Sequence, residues 1–150
     1  MRDLLEKLLL LKRTATFSEV ATDDLRVVAQ ELVDEACFEG ERLFDLGDTS
    51  DRMYIIVEGK VGISIAADPA ERNFITTLGP GDCFGEMGLF DDLPRSATAH
   101  VLADSQLLAL DKHKLRGLIV RYPELLLGLL RGLSHRLRSA NEMISRARSG

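Results

Sequence analysis

The most informative stretch of the chain is GPGDCFGEMGLFDDLPRSAT, at residues 79–98. No Lys-Ser or Lys-Thr pair follows its glycines, so the stretch is not a P-loop. The glycines also lack the GxGxxG spacing behind a first strand, so they do not support a dinucleotide-binding fold. The stretch therefore needs an interpretation that uses its charged residues as well as its glycines.

Gly85, Arg95 and Ser96 together suit a bound anion. Gly85 lets the backbone turn sharply and approach a ligand, and residues 86–90 can form one or two helical turns whose first N–H groups are free. Arg95 adds a planar cation that can grip phosphate oxygens, and Ser96 adds a hydroxyl donor. Glu86 is an acceptor, which suits a ribose hydroxyl. A simple ion pair between Glu86 and Arg95 on a loop accounts for the same residues equally well.

Short apolar runs that alternate with turn signals surround this stretch, from about residue 37 to residue 110. We predict tight hairpins at Glu58-Gly59 and around Ala103-Asp104-Ser105. Many short strands at such spacing are typical of a β-barrel or a β-sandwich. The predicted strands cover residues 54–57, 61–65, 74–78, 97–101 and 106–110.

Both ends of the chain have helical patterns. Residues 4–13 predict an amphipathic leader helix, and residues 22–36 predict a helix with Thr22 as its N-cap. Asp111 is expected to cap a short helix, and Pro123 to begin a longer last one. In that last helix Leu125 and Leu129 can pack on the barrel, beside a heptad seam that favours pairing with a second copy of the chain, although burial in a single core would explain the same spacing. The seam consists of Leu126, Leu130, Leu133, Leu137, Ala140 and Ile144.

Net charge and residue spacing argue against several classes of function. The net charge of −5 disfavours a general nucleic-acid binder, and we expect no helix-turn-helix unit within residues 1–150. Cys37 and Cys83 form no CxxC pair, and the three histidines have no metal-ligand spacing, so we expect reduced thiols in a cytoplasmic protein without a metal site. The apolar run at residues 8–11 is too short to span a membrane. No nucleophile–base pair is visible, so we expect no enzymatic activity.

Residues 84–90 followed by residues 94–98 resemble the phosphate-binding cassette of cyclic nucleotide-binding domains, which occur in catabolite activator proteins, protein kinase regulatory subunits and gated channels. The resemblance extends over most of the chain: residues 51–61 resemble the strands before the cassette, residues 79–82 the turn into it, and residues 122–124 with the following leucines the long dimer helix. It implies an α+β fold, an antiparallel β-barrel of the double-stranded β-helix or jelly-roll type, flanked by an N-terminal helix and C-terminal helices.

The resemblance also implies roles for individual residues. The amides of Gly85, Glu86 and Met87 would face the cyclic phosphate, the Glu86 carboxylate would bind the ribose 2′-hydroxyl, and Arg95 and Ser96 would bind the phosphate. Serine rather than threonine after the arginine favours cAMP, with cGMP as the alternative. The implied nucleotide-binding set is Phe84, Gly85, Glu86, Met87, Gly88, Arg95, Ser96 and Ala97, with Ile75, Arg136 and Asn141 as further candidates.

The base contacts depart from the family pattern. Ala140 and Asn141 occupy positions where the catabolite activator has adjacent threonine and serine residues that reach the adenine. The Asn141 amide can still bind a base edge, whereas Ala140 cannot. Ile75 can contact the sugar or base, or belong to the core, and Arg136 can line the site or lie on a solvated helix face.

These interpretations define a regulatory module that needs no cofactor. Residues 1–21 form a leader, residues 22–122 the cyclic nucleotide-binding barrel with its flanking helices, and residues 123–150 a lid and dimerisation helix. We expect a homodimer, or a part of a larger polypeptide, that transmits ligand binding through the last helix. The alternative is the effector-binding half of a transcription regulator, or the C-terminal sensor of a larger protein, that binds cGMP or another effector.

Overall fold

Two long antiparallel strands, β3 (Arg52–Ser64) and β6 (Thr98–Asp111), form the centre of a six-stranded sheet in the computed structural model, which describes residues 2–149. The predicted leader and last helix include Met1 and Gly150, which lie outside the described residues. The remaining elements are α1 (Leu4–Arg13), α2 (Thr22–Ala29), β1 (Val33–Cys37), β2 (Arg42–Phe44), β4 (Thr76–Leu78), β5 (Cys83–Phe84), a 3-10 turn (Glu86–Leu89), α3 (Lys112–Arg121) and α4 (Pro123–Ser149).

All the strand pairs are antiparallel. The sheet order is β1-β6-β3-β4, with β2 also paired to β6 and β5 to β3. Because the described parts of β1 and β4 do not pair with each other, the sheet is open rather than a closed barrel. The strands with helices before and after them confirm the predicted α+β, jelly-roll-like class.

The two predicted hairpins are wrong, and the structure gives a common reason. β3 runs unbroken through Glu58-Gly59, and β6 runs unbroken through residues 103–105. The two segments lie opposite each other, where the register between the strands shifts. Gly59 has φ +110°, and a Cβ there would fall 2.0 Å from Ser105 Oγ. The glycine therefore marks a bulge that admits Ser105, because a bulge and a turn both favour residues without a side chain.

The predicted helix at residues 22–36 is too long. α2 ends at Ala29, and Val33–Cys37 forms an edge strand on β6. The local preferences of these residues yield to pairing with the long β6, since strand formation depends strongly on tertiary context. Thr22 is the first residue of α2 rather than its cap, which is Ala21. The strand predicted at 74–78 is shorter as well, since only Thr76–Leu78 pairs with β3.

Alternate residues of β3 face two separate cores, as the pleat requires. Met53 and Ile55 pack under the helices, whereas Tyr54 and Ile56 face an inner core on the other side of the sheet. The inner core also contains Phe84, which ends β5 and is the first residue of the predicted cassette. The interior of the sheet therefore supports the candidate site from below.

The C-terminal helices follow the sequence closely. Asp111 caps α3 by accepting hydrogen bonds from the N–H groups of His113 and Lys114, and Pro123 begins α4. Leu125 and Leu129 are buried in the helical core, as predicted. The leucines and the isoleucine of the predicted seam are instead exposed, which leaves an apolar stripe on α4: Leu126, Leu130, Leu133, Leu137 and Ile144. No helix in the described range 2–149 is long and apolar enough to cross a bilayer.

Candidate phosphate-binding site

The connection between β5 and β6, residues 85–97, forms one wall of a cavity of about 430 Å³. Segments from β2, β3 and the loop between them form the other wall. The lining residues are Phe44, Ser50, Ile63, Phe84, Gly85, Glu86, Met87, Gly88, Asp91, Leu93, Pro94, Arg95, Ser96 and Ala97. Eight of the eleven sequence-predicted residues thus come together in one place.

Gly85 is required at the entry to this connection. Its φ of +78° lies in the left-handed region, and it directly precedes the 3-10 turn. A Cβ at this position would fall 2.6 Å from Arg95 Nη1. Backbone geometry and space both exclude a side chain here, so the Gly85 backbone can approach the guanidinium closely.

Arg95 is almost fully buried, at 6% exposure, and it is one of the residues that line the cavity. Nη2 donates to the carbonyl of Arg52 at 2.6 Å and Nη1 donates to the carbonyl of Gly85 at 3.4 Å. The nearest carboxylate, that of the exposed Asp51, is 3.9 Å away. Burial lowers the pKa of Arg95 from its usual value, but an arginine remains protonated at neutral pH. The site therefore holds a buried cation whose one carboxylate partner within the described chain is exposed and at the outer limit of an ion pair.

One donor of Arg95 has no acceptor. Nε is buried and makes no hydrogen bond to any described residue. Because buried donors are almost always satisfied, such an atom calls for an explanation at the site itself. An anion in the cavity would supply the missing acceptor.

Aromatic rings support the guanidinium. Its Cζ lies 3.9 Å from the centre of the Phe44 ring. Phe44 in turn stacks with Tyr54 at 6.3 Å between centroids, and Tyr54 stacks with Phe84 at 5.2 Å. A cation over an aromatic face is stabilised by the ring quadrupole, so this stack fixes where Arg95 sits.

Glu86 faces the last helix instead of pairing with Arg95. Its Oε1 is 3.4 Å from Nη2 of Arg136 on α4. Nη1 of Arg136 lies 3.5 Å from the Thr16 hydroxyl, in the connection between α1 and α2. Glu86 Oε2 accepts from the Cys83 thiol at 3.9 Å, and burial, followed by the Glu86 charge, raises the Cys83 pKa well above its usual value. The simple Glu86–Arg95 ion pair is therefore absent from the described structure, and both groups remain available to a ligand.

Three of the sequence-predicted residues do not line the cavity. Ile75 and Asn141 are exposed, and Arg136 lines a separate open groove against the leader. Arg136 reaches the site only through Glu86. The roles of Ile75, Asn141 and Arg136 toward a nucleotide stay predictions.

Several residues that line the cavity were not predicted from the sequence, among them Phe44, Ser50, Ile63 and Leu93. Phe44 and Ser50 are far from the cassette in sequence, so only the pairing of β2 with β6 could have revealed them. Leu93 lies inside the quoted stretch, and an apolar residue between Asp92 and Pro94 in a polar loop is the signal that could have identified it.

An open jelly roll that places a buried arginine beside a glycine turn differs from a P-loop or dinucleotide fold and has the features of a small-anion site. The comparisons with known proteins agree. The cyclic nucleotide-binding domain family matches residues 37–122, more than half of the chain. The chain belongs to the cyclic nucleotide-binding domain family.

Individual relatives give the same result. The chain is 33% identical to a CRP-like cAMP-activated global transcriptional regulator of Mycobacterium tuberculosis over 91% of its own length and 61% of that protein's. It is 36% identical to the cyclic AMP receptor protein of Thermus thermophilus over 69% of its own length and 48% of that protein's. The crystal structure of the N-terminal domain of a Streptomyces coelicolor transcriptional regulator superposes with a TM-score of 0.77 at 31% identity, covering 89% of this chain and 93% of that one. The chain thus spans only part of the curated regulators that it matches.

Proposed function

We propose that this chain binds cAMP in the cavity beside Arg95 and acts as a regulatory module, without catalysis. The observation that carries the proposal is the buried guanidinium of Arg95, whose Nε has no acceptor among residues 2–149. A cyclic phosphodiester carries one negative charge, which a single desolvated cation balances. A charge-assisted hydrogen bond in such a site is worth about 1.5–3 kcal/mol.

The other polar groups orient the ligand. The amides that follow Gly85 and the hydroxyl of Ser96 supply donors to the phosphate oxygens. The Glu86 carboxylate supplies an acceptor for the ribose 2′-hydroxyl, and Ile63 and Leu93 offer apolar surface to the sugar and base. Ser96, with no extra methyl group, favours cAMP over cGMP in this family, and two relatives are named for their response to cAMP.

The contact between Glu86 and Arg136 supports a route for the signal. A ligand that engages the Glu86 carboxylate competes with Arg136 on α4, so binding is coupled to the position of that helix. The exposed leucine stripe on α4 supports a homodimer, because 4-3-4 spacing of leucines suits a coiled-coil seam. Movement of α4 then changes the pairing of two copies.

A second proposal concerns the protein in which this domain works. The chain covers 61% and 48% of two regulators that are named as cAMP-responsive or as transcriptional regulators. This partial coverage favours the effector-binding part of a transcription regulator over the sensor of some other larger protein. The full reading frame decides between them: a helix-turn-helix segment after α4 supports the regulator, and any other adjoining domain contradicts it.

Isothermal titration with cAMP, cGMP and 5′-AMP tests the ligand. We expect saturable binding of cAMP, weaker binding of cGMP and the weakest binding of 5′-AMP, whose open phosphate carries a second charge that the single arginine does not balance. Absence of heat with both cyclic nucleotides, at protein concentrations well above micromolar, would overturn the proposal. Tighter binding of cGMP would retain the site and correct the base preference.

A further inference from the structure

Lys112, the first residue of α3, is a buried cation outside the cavity wall. Its side chain is 8% exposed, and it lies behind the cassette rather than in the cavity. The ammonium lies 3.2 Å from the Asp92 carboxylate and donates to the carbonyls of Asp91 and Ser50. Three acceptors thus meet the three donors of one lysine. An ammonium is costly to bury unless it is fully partnered, so this position is specific in its requirements.

The partners of Lys112 belong to both walls of the cavity. Asp91 lies two residues after the end of the 3-10 turn, in the cassette wall. Ser50 lies in the loop between β2 and β3, in the opposite wall. Ser50 also touches the cassette directly, because a Cβ at Gly88 would fall 1.6 Å from Ser50 Oγ. The main-chain N–H of Lys112 donates to the carbonyl of Asp51 at 2.9 Å. Lys112 therefore joins the two walls from behind.

The cassette has few polar attachments at this end, where Leu89 of the 3-10 turn is buried in the helical core. Its main-chain hydrogen bonds to the β2–β3 loop both involve Arg95, whose N–H donates to Asp48 and whose carbonyl accepts from Gly47. Residues 86–89 form only a short 3-10 turn, which lies outside the sheet. Short 3-10 segments have poor hydrogen-bond geometry and depend on their surroundings. The lysine adds a polar attachment beside this apolar anchor, next to the part of the cassette that presents amides to the cavity.

We infer that Lys112 is a positioning residue for the nucleotide: by holding Asp91 and Ser50 together, it fixes the distance between the 3-10 turn and the guanidinium of Arg95. This inference rests on the proposed function, since the amides are positioned for the phosphate of the cyclic nucleotide. Asp92 has a smaller part, because its carboxylate is 86% exposed and is shared with Arg116. Lys112 acts on the ligand through the cassette and not by contact.

Lys112→Met tests the inference against Lys114→Met. Lys114 lies two residues further along α3, is 53% exposed and pairs with Glu31, so its loss removes the same charge without touching the cassette. In the ligand-free chain, we expect Lys112→Met to speed amide hydrogen exchange at residues 86–92 and to leave β3 and β6 unchanged. We expect the Kd for cAMP to rise about tenfold in Lys112→Met and to change less than about twofold in Lys114→Met.

The two readouts separate the two proposals. A wild-type chain that fails to bind cAMP overturns the proposed function. The amide hydrogen exchange of residues 86–92 in the ligand-free chain still tests the role of Lys112. Equal exchange and equal Kd in Lys112→Met and wild type overturn the positioning role, as does an equal loss of affinity in both lysine variants. If Lys112→Met does not fold, the same comparison is made with Lys112→Arg, whose planar head cannot reproduce the three contacts of an ammonium; unchanged exchange at residues 86–92 there also overturns the inference.

Discussion

The guanidinium of Arg95 lies over the ring of Phe44, with 3.9 Å between Cζ and the ring centre. The two residues come from β2 and from the end of the cassette, so the contact joins the two walls of the cavity. The same guanidinium donates to two backbone carbonyls and keeps Nε free. The cation is thus held in place before any ligand arrives, which reduces the ordering cost of binding.

Replacement of Arg95 tests the cation itself. Arg95→Ala should raise the Kd for cAMP at least tenfold, because it removes a charge-assisted contact of about 1.5–3 kcal/mol. Titration calorimetry measures the change. Arg138→Ala, which removes an exposed arginine from α4, serves as the control and should leave the Kd unchanged. Equal affinity of Arg95→Ala and wild type would place the phosphate elsewhere.

Replacement of Phe44 tests the support of the cation. Phe44→Ala removes the ring under Arg95, and a cation–π contact of about 0.5–2 kcal/mol predicts a Kd roughly three to thirty times higher. The matched control is Phe38→Ala, since Phe38 is exposed in the turn before β2 and lies outside the cavity lining. Equal Kd values for the two variants would contradict a positioning role for the Phe44 ring.

Alanine variants at Gly85 and Gly81 separate the effect of backbone strain from the effect of a steric clash. Both have positive φ, +78° and +89°, so alanine strains the backbone at either position. Only at Gly85 does the added Cβ meet the guanidinium, whereas the space at Gly81 is open. We expect both variants to lower the melting temperature, Gly85→Ala by more because it adds a clash to the strain, and only Gly85→Ala to weaken cAMP binding, by about tenfold or more. A similar loss of affinity in Gly81→Ala would contradict the close approach of Gly85 and Arg95.

The exposed stripe on α4 predicts a dimer in solution. Leu130→Glu combined with Leu137→Glu should convert it to a monomer, because charges on a coiled-coil seam are costly to bury. Sedimentation velocity measures the outcome. Arg138→Glu adds an acidic residue next to Leu137 but off the seam, and should leave the dimer intact. A wild-type chain that sediments as a monomer at high micromolar concentration would refute the seam.

His100 predicts a pH dependence of stability. Burial, then the charges of Arg72 and Arg42, lower its pKa below 6.5 in the folded chain, against smaller opposing effects of Asp45 and of a hydrogen bond to the backbone of Pro69. Its Nε2 has no acceptor in the described structure, and Phe74 packs against the ring at 5.2 Å. Below pH 6.5 the unfolded chain binds a proton that the folded chain resists, so the free energy of unfolding falls as the pH drops.

The measurement is urea unfolding at pH 7.5 and pH 5.5. His100→Gln cannot gain this proton, so its stability should fall less than that of the wild type over the same interval. The difference between the two proteins isolates His100 from carboxylates that titrate in both. An equal fall in both proteins would show that the His100 pKa is not lowered by folding.

The elements that sequence predicted best are those with local signals. The Asp111 cap, the start of α4 at Pro123 and the burial of Leu125 and Leu129 all depend on residues within one or two turns. The two predicted hairpins are absent because Gly59 and Ser105, which both favour turns, lie opposite each other on neighbouring strands. There Gly59 forms a bulge that leaves room for the Ser105 side chain. The helix prediction at residues 22–36 was too long for a similar reason, since Glu35 and Ala36 of β1 favour a helix locally and pair with β6 only in the folded chain.

The candidate site shows the same division. The contiguous motif from Phe84 to Ala97 could be assembled from sequence, because its glycines, cation and hydroxyl lie within fourteen residues. Phe44, Ser50 and Lys112 could not, because each reaches the cassette only through long-range pairing or burial. Residues that support a site from a distance carry no local signal of their own.

The most direct test of the account is the Arg95 Nε–H resonance in a chain labelled with nitrogen-15, assigned by its loss in Arg95→Lys. Addition of cAMP should move this resonance and slow its exchange with water, because the free Nε donor gains a phosphate oxygen as its acceptor. A chain that binds cAMP while the Arg95 resonance stays unmoved would contradict the central claim.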